Sequence, residues 1–556
     1  MFLPATKEEL RHLGWKALDV ILISGDAYID SPHIGIAVIG RVLVNAGYRV
    51  GVIAQPDIYS DKDIIRLGEP ELFWGVSSGC VDSMISNYTA SRKPRRQDDL
   101  TPGGANTKRP DRAVIVYANL IRRYFKQTKP IVLGGIEASL RRISHYDFWS
   151  DSVKRSILFD AKADALIYGM GEKTVLELAE KLKENQDFRD IRGLCYAAKE
   201  KQSDGIELPS HHDVTEDKEA FTRMFRIFYE NADPVTAKCL YQKQDTRYLV
   251  QNPPQFQMEE KDLDEIYELP FERDVHPYCK QHGAVKALET IRFSITTHRG
   301  CFGECRFCAI AIHQGRRITN RSEHSVLKEA RLLSKVPDFK GYISDIGGPT
   351  ANMYGMDCDK QKNKGVCKDK NCISCKTLRI SHQRQTGLLK KLRNIPGIKK
   401  AFIGSGIRYD LVLNDTKYGR EYLEEVINHH ISGQMKIAPE HSEDKILQLM
   451  GKPGSDVLRK FKAMFDRLNT ECGKKQFLTY YFIAAHPGCG LEDMQKLKSF
   501  IKKELRLKPE QAQIFTPSPS TWSTLMYYTQ KNPFTGEKLF VEKEISRKEQ
   551  QKAIVV

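Results

Sequence analysis

The stretch Arg299–Ile310, RGCFGECRFCAI, places Cys301, Cys305 and Cys308 on one short loop in a C-x3-C-x2-C pattern. Thiolates are preferred ligands for iron–sulfur clusters. Three of them on one loop can hold three irons of a cubane and leave the fourth iron open. An open coordination position is what separates a reactive metal site from a closed structural one. Gly300 and Gly303 allow the loop to bend around such a group. A zinc knuckle is the alternative. It needs a fourth ligand, for which His298 and His313 are candidates, and zinc sites more often use C-x2-C pairs. The spacing favours a cluster.

Outward from this loop, an apolar run precedes the cysteines and opens a series of strand-like segments: TIRFSITTHRG, GYISDIGG, KAFIGSGIR, QMKIAPEH, FLTYYFIAAHPG and QAQIFTPSP. Helical patterns such as SVLKEARLLSK and LEEVINHHI fall between them. Six such βα units, spanning 286–530, fit an open parallel barrel, a partial (βα)6 arrangement. A separate alternating series fills 1–200, with LDVILISGD, RVGVIAQ, LFWGVSS, PIVLGG and ADALIYGMGE as strands. That pattern predicts a doubly wound parallel sheet of the Rossmann type. Several of its strands end at glycine, at Gly25, Gly134–Gly135 and Gly169, where a ligand could approach the backbone or the chain could simply turn. Residues 87–112 are polar, basic and rich in Pro and Gly, and read as a solvated surface loop. Residues 201–285 read as a bridging segment and 531–556 as a charged, frayed or helical tail.

The whole chain narrows the classes further. At 556 residues it exceeds one ordinary core. With 40% hydrophobic and 28% charged residues it is globular rather than disordered. Its start lacks the features of a signal peptide, Thr6 and Glu9 instead fit a helix capping box, and no apolar run approaches the roughly 18 residues of a membrane span. The expectation is a cytoplasmic protein without membrane contact. Seven of thirteen cysteines lie between 301 and 375, which in a reducing compartment points to metal rather than disulfides. The formal charge of +16, from 87 Lys and Arg against 71 Asp and Glu, admits RNA or an anionic small molecule as partner. No recognisable RNA-binding module accompanies it.

With the aromatic Phe307 before the third cysteine, C-x3-C-x-Φ-C after a strand resembles the signature loop of the radical S-adenosylmethionine (SAM) superfamily. The resemblance implies an enzyme in which Cys301, Cys305 and Cys308 hold a [4Fe–4S] cluster and Phe307 contacts adenine. The open iron would chelate SAM, which one electron cleaves to methionine and a 5′-deoxyadenosyl radical. An electron donor such as flavodoxin or ferredoxin is implied as partner. Asp345-Ile-Gly347-Gly348-Pro349 stands where the superfamily has a Gly-Gly motif binding the SAM amine, with Pro349 where Glu is common. Ser405, Gly406 and Arg408 stand where polar and basic residues meet the SAM ribose or carboxylate, and Tyr481–Pro487 resembles the strand that contacts adenine. DVILISGDAYIDSPHIGIAVIGRVLVNAGY, PIVLGGIEASLRR, SDIGGPTANMYG and FTPSPSTWSTLMYY closely resemble the YgiQ family of radical SAM proteins, whose membership implies cofactors but no reaction.

The first domain also resembles the cobalamin-binding domains fused to many radical SAM enzymes, through GGIEAS and GMGE. Cobalamin binding through a lower histidine uses D-x-H-x-x-G, whereas Asp30 and His33 stand in a D-x-x-H-x-G order, and His33 reads more readily as a loop residue. Cobalamin therefore stays open. If it binds, transferase chemistry such as methyl transfer is implied. Cys358, Cys367, Cys372 and Cys375 form a second set, C-x8-C-x4-C-x2-C, in a polar loop. Four thiolates suffice for zinc or for a second iron–sulfur cluster, and a metal staple would order a loop with little apolar material. Two functions remain: SAM-dependent radical attack on a C–H bond of an unknown substrate, or an RNA-binding protein with structural, metal-stapled cysteines.

Overall fold

The apolar run after Leu18 forms a strand whose five residues, Val20–Ser24 (β1), are all buried, as the centre of a sheet covered on both faces requires. The computed structural model describes every residue except Gln202, Ser203, Asp369, Lys370, Lys508, Glu510 and the side chain of Gln511. The chain divides into two units, residues 1–257 with 265–292, and residues 258–264 with 293–556.

In the first unit β1 is joined by Val50–Ala54 (β2), Phe73–Ser77 (β3), Ile131–Leu133 (β4) and Ala165–Ile167 (β5). All pair in parallel, in the order β2-β1-β3-β4-β5. This is the flavodoxin-like doubly wound order, with its switch point between β1 and β3. Four further strands, Leu194–Ala198 (β6), Ile206–Leu208 (β7), Leu240–Gln244 (β8) and Arg247–Gln251 (β9), extend the sheet beyond β5 in the order β6-β9-β8-β7. The pairings β5–β6, β6–β9 and β9–β8 are antiparallel.

Apart from residues 258–264, the segment read as a bridge therefore belongs to the first unit. Its strands escape an apolar-pattern reading because their inward groups are amides. Gln242 Oε1 accepts from the Ser144 backbone at 2.9 Å, and Gln244 Oε1 accepts from the Ser156 backbone at 3.1 Å. Val275, Cys279 and Val285 join the same apolar core as Val20 and Val50, so residues 265–292 close back on this unit too.

Residues 87–112 also depart from the solvated loop expected. Asp98, Thr101 and Arg109 are buried within it. Arg109 pairs with Asp98 at 3.0 Å and with Asp26 just beyond β1 at 2.5 Å. The loop is a latch over the carboxyl end of β1.

In the second unit, Ser294–Thr296 (β10) pairs in parallel with Asp345–Gly347 (β12), and Tyr342–Ile343 (β11) with Lys400–Ala401 (β13). The strand after β13 continues to Ile407, which bridges in parallel to Ile437 of Gln434–Glu440 (β14). Then follow Phe477–Ala484 (β15) and Gln511–Ile514 (β16), again parallel. Six parallel rungs in sequence order form the expected partial barrel, and among the described residues no ladder joins β16 to β10.

The last helix, Ile545–Val555, is packed rather than frayed: Lys548 and Gln551 are buried, and Lys548 Nζ donates to the Tyr527 hydroxyl at 2.9 Å. Among the described residues no helix is long and apolar enough to cross a membrane.

Replacing Arg109 with Leu would strand the two buried carboxylates of Asp26 and Asp98. We expect a loss of about 3–5 kcal/mol in denaturant unfolding of the first unit; a loss below about 1 kcal/mol would show that the latch carries no structural weight.

Candidate functional site

The cysteine loop leaves the barrel after β10 and closes on itself at its base. Gly300 has φ +85°, and a Cβ there would lie 2.0 Å from the Arg317 carbonyl, so glycine is required by both conformation and space. The Cys301 amide donates to the Gly315 carbonyl at 3.1 Å and the Gly300 amide to Gln314 Oε1 at 3.1 Å. Phe302, 1% exposed, anchors the loop in an apolar cluster with Ile318, Met353, Met356 and Leu411. On the far side the Arg306 amide donates to the Met450 carbonyl at 2.9 Å, and the Ser523 amide to the Arg306 carbonyl at 2.9 Å.

The three thiols are half-buried and free of disulfides. Burial, followed by the charge of neighbouring cysteines, pushes Cys308 up to about 12. Cys301 is raised too, chiefly by burial, with Cys305 adding to it. Thiols that disfavour each other's ionisation in a dry pocket favour a cationic metal centre as counter-charge. A cubane takes one thiolate on each of three irons, and three free thiols on one loop are a donor set of that kind. His298, a candidate for zinc, is fully buried, with Nδ1 2.9 Å from the Thr297 hydroxyl and a pKa brought down to about 4 by burial. His313 sits on the helix Ile310–Gln314.

At the end of β12, a Cβ on Gly348 would fall 2.6 Å from the His298 ring, so this glycine is needed for close approach. Gly347 has no contact closer than 3.5 Å and is not sterically required. The Asp345 carboxylate accepts from the amides of Gly404, at 2.8 Å, and Ser405, at 3.1 Å, and from the Ser405 hydroxyl. It thereby ties the second strand end to the third. Arg408 is buried against Asp410, with Nη2 2.9 Å from Oδ2, and its Nη1 donates toward Cys305 Sγ and the Gly303 carbonyl, each at 3.4 Å. Phe307 meets the ring of His486 edge-on at 6.4 Å.

Sequence reasoning passed over Glu440. It ends β14 in a left-handed conformation, φ +70°, is 5% exposed, and leaves Oε2 without a hydrogen-bond partner. Lys452 Nζ lies 3.6 Å from Oε1. Burial raises its pKa to about 7, against the opposing pull of Lys452 and Arg408. Next along the chain is the buried His441, Nε2 3.6 Å from Cys489 Sγ. β15 is followed directly by a left-handed Ala485, φ +57°, and then by His486, whose Nε2 lies 2.7 Å from the Ser523 hydroxyl. The signal available was positional: polar residues directly after barrel strands.

Of the second cysteine set, Cys358 and Cys372 are buried in the same apolar cluster as Phe302, with Cys301 packed against it. Gln361 Nε2 donates to Cys372 Sγ at 3.2 Å, and Thr377 Oγ1 lies 3.0 Å from Cys375 Sγ and 3.9 Å from Cys358 Sγ. The loop base is pinned where Asp357 bridges to Arg379. In the first unit, Asp30 is ion-paired with buried Arg41 and accepts from the Glu272 amide at 2.9 Å. It is thus engaged away from His33, whose Nδ1 lies 3.4 Å from the Ser31 hydroxyl. Gly135, φ +80°, would drive a Cβ to 2.6 Å from Ser77 Oγ, so the Gly-Gly turn brings the ends of β3 and β4 together, while Gly134 faces open space.

A flavodoxin-like sheet followed by six parallel barrel rungs, with three cysteines looping out after the first rung, defines a protein of the radical SAM class. A family model described as Radical SAM N-terminal matches residues 2–294. A UPF0313 protein of Fusobacterium nucleatum is 58% identical over 558 residues, covering 100% of this chain and 98% of its own length. One of Thermotoga maritima is 50% identical over 562 residues, with 100% and 98% covered. The chain belongs to the UPF0313 (YgiQ) family of radical SAM proteins. Among solved structures it shares the fold of the radical SAM methyltransferase TsrM from Kitasatospora setae, with cobalamin and a [4Fe–4S] cluster bound (TM-score 0.54, 14% identity, 91% of this chain and 77% of that one). It also shares that of the cobalamin-dependent SAM radical enzyme OxsB with aqua-cobalamin bound (TM-score 0.50, 14% identity, 94% and 56%).

Because the folded chain holds a proton on Glu440 that the unfolded chain releases above its ordinary pKa of 4.5, this group makes stability fall as pH rises from about 4.5 to 7. In cluster-free protein, Glu440→Gln should flatten the decline in melting temperature between pH 5 and 8. An unchanged profile would show that the carboxyl titrates normally.

Proposed function

We propose that this chain is a SAM-cleaving radical enzyme that attacks a C–H bond of its substrate, with Cys301, Cys305 and Cys308 holding the cluster. The observation carrying this reading is the closed loop that presents three free, half-buried thiols at the carboxyl end of the first barrel strand, where barrel enzymes place their chemistry. When bound, the cluster and SAM supply one-electron cleavage of SAM to methionine and a 5′-deoxyadenosyl radical. The chain's own residues do the positioning. Gly348, pressed against His298, would leave its backbone carbonyl to accept from the SAM amine, the Gly347 carbonyl is held by Thr297, and Ser405 holds the neighbouring strand end through Asp345. Phe307, backed by His486, offers a ring face to adenine. A low-potential donor such as flavodoxin or ferredoxin is the partner this chemistry needs.

The likeness of the first unit to cobalamin-containing neighbours supports cobalamin at the carboxyl ends of β1, β3 and β4, and with it methyl transfer. Asp30 is committed to Arg41, so any such cobalamin is held without an Asp–His pair beneath the metal. For the second cysteine set, burial of Cys358 and Cys372 beside Cys301 favours a second metal centre over a surface staple. The RNA-binding alternative rests on the +16 charge alone.

Anaerobic reconstitution and reduction should give a [4Fe–4S] paramagnetic signal that SAM perturbs; a missing signal, or one indifferent to SAM, would sink the enzyme reading. Cys305→Ala should lower 5′-deoxyadenosine formation by at least 1,000-fold (on the order of 4 kcal/mol), and persistent product would exclude its ligand role. In protein with all three triplet cysteines replaced by Ala, retained metal is expected at the second set: iron would mark a second cluster and zinc a structural centre, while a metal-free protein would refute a second metal centre.

A further inference from the structure

Arg408 stands where the family resemblance assigns a SAM contact, yet its side chain is already committed. It is buried, 8% exposed, and its Nε and Nη2 form a bidentate pair with Asp410 at 2.9–3.1 Å. The remaining nitrogen, Nη1, is directed at Cys305 Sγ and the Gly303 carbonyl. Gly303 has no left-handed backbone to explain it. A Cβ there would instead fall 2.4 Å from Arg408 Nη1 and 3.3 Å from Cys301 Sγ, so glycine at this position admits the guanidinium to the loop.

The approach is held from behind by a chain of oriented hydrogen bonds. Asn352 Oδ1 accepts from the Arg408 amide at 2.7 Å, and its Nδ2 donates to the Arg408 carbonyl at 3.0 Å. The same Nδ2 faces His382 Nε2 at 3.1 Å, and His382 Nδ1 lies 2.9 Å from the Asp415 carboxylate. Asp415 thus fixes the tautomer of His382, leaving Nε2 to accept from Asn352. His382 stacks on Tyr422 with ring centroids 4.4 Å apart. Asn352, His382, Asp415 and Tyr422 are all buried, and none of them belongs to the cysteine loop. This buried chain fixes the backbone of Arg408 while Asp410 fixes its guanidinium, a positional precision that a flexible surface contact would not need.

We propose that Arg408, with Asp410 as its counter-charge, sets the reduction potential of the cluster through Cys305, and that SAM binding is left to other groups. The proposal rests on the cluster reading given above. Reduction adds a negative charge to the cluster, and hydrogen bonds and positive charge at a ligand sulfur favour that state, which raises the potential. The half-neutralisation by Asp410 keeps the rise moderate. Arg408 is a positioning and potential-setting residue; it acts through the thiolate and touches no substrate.

The test is a redox titration of reconstituted, SAM-free protein followed by electron paramagnetic resonance. Arg408→Gln should move the midpoint to more negative potential, and Asp410→Asn, which unmasks the guanidinium, should move it the other way. General loosening of the fold would shift both variants in one direction. SAM affinity, measured by titration of the SAM-induced spectral change, should stay within threefold of the parent in both. Midpoints equal to the parent's would overturn the proposal, as would a tenfold loss of SAM affinity in Arg408→Gln at unchanged midpoint. If Arg408→Gln fails to take up a cluster, the upward shift of Asp410→Asn decides. Absence of any cluster signal in the parent would instead refute the cluster reading itself.

Discussion

Everything at this site depends on one geometric constraint: three thiols must be presented from a loop whose two ends meet. The closure runs through the Cys301 amide to the Gly315 carbonyl and the Gly300 amide to Gln314, and it tolerates no side chain at residue 300. A loop closed in this way holds its thiols partly out of water, at a cost in desolvation. That is visible as the raised pKa of Cys301 and Cys308. The surrounding barrel fits this loop by close approach, with Gly348 against His298 and Gly303 against Arg408. Two glycines that look alike in the sequence therefore do different work from Gly300, which serves backbone conformation as well as space.

The parts of this protein that were legible in the sequence are those written in local pattern. The C-x3-C-x2-C triplet is readable because ligand chemistry depends on residue type and short spacing. β1 to β5 and the six barrel rungs are readable because buried parallel strands are short apolar runs between helices. What stayed hidden depends on polar partners far away in sequence. The strands around Gln242 and Gln244 look hydrophilic, yet their amides face Ser144 and Ser156 inside the sheet. Arg109 looks like one more basic loop residue until Asp26 and Asp98 are found on either side of it. Arg408 was legible as a functional arginine from its place after a strand, but its actual neighbour, Cys305, lies 103 residues away.

Charge around the loop is matched pairwise instead of accumulated. Arg408 faces Asp410, Glu440 faces Lys452, and Arg316 faces Glu304 at 3.0 Å. A chain with a formal charge of +16 thus brings almost compensated groups to its buried thiols. In such surroundings a single unmatched donor, such as Nη1 of Arg408 on a sulfur, has a larger electrostatic effect than it would among many uncompensated charges, because little else varies near it and the medium screens weakly.

Two barrel strands meet left-handed non-glycine residues at their carboxyl ends, Glu440 as the last residue of β14 and Ala485 directly after β15, each followed by a buried histidine. Such conformations cost of order 1–3 kcal/mol each and persist only where neighbours over-determine them. For Ala485 the neighbour comes from the charged tail: Gln551 Oε1 accepts the Ala485 amide at 3.0 Å while its Nε2 donates to the Cys489 carbonyl at 3.3 Å. The tail, read as frayed or helical, is a helix whose Gln551 braces the chain on either side of His486, the ring that meets Phe307 edge-on. Glu440 has weaker support, one lysine at 3.6 Å and one oxygen unpartnered, so its strain is less fully compensated. The two strand ends therefore differ in how their strain is offset: two hydrogen bonds with Gln551 brace the chain beyond β15, whereas at the end of β14 a single lysine faces a carboxyl whose burial raises its pKa.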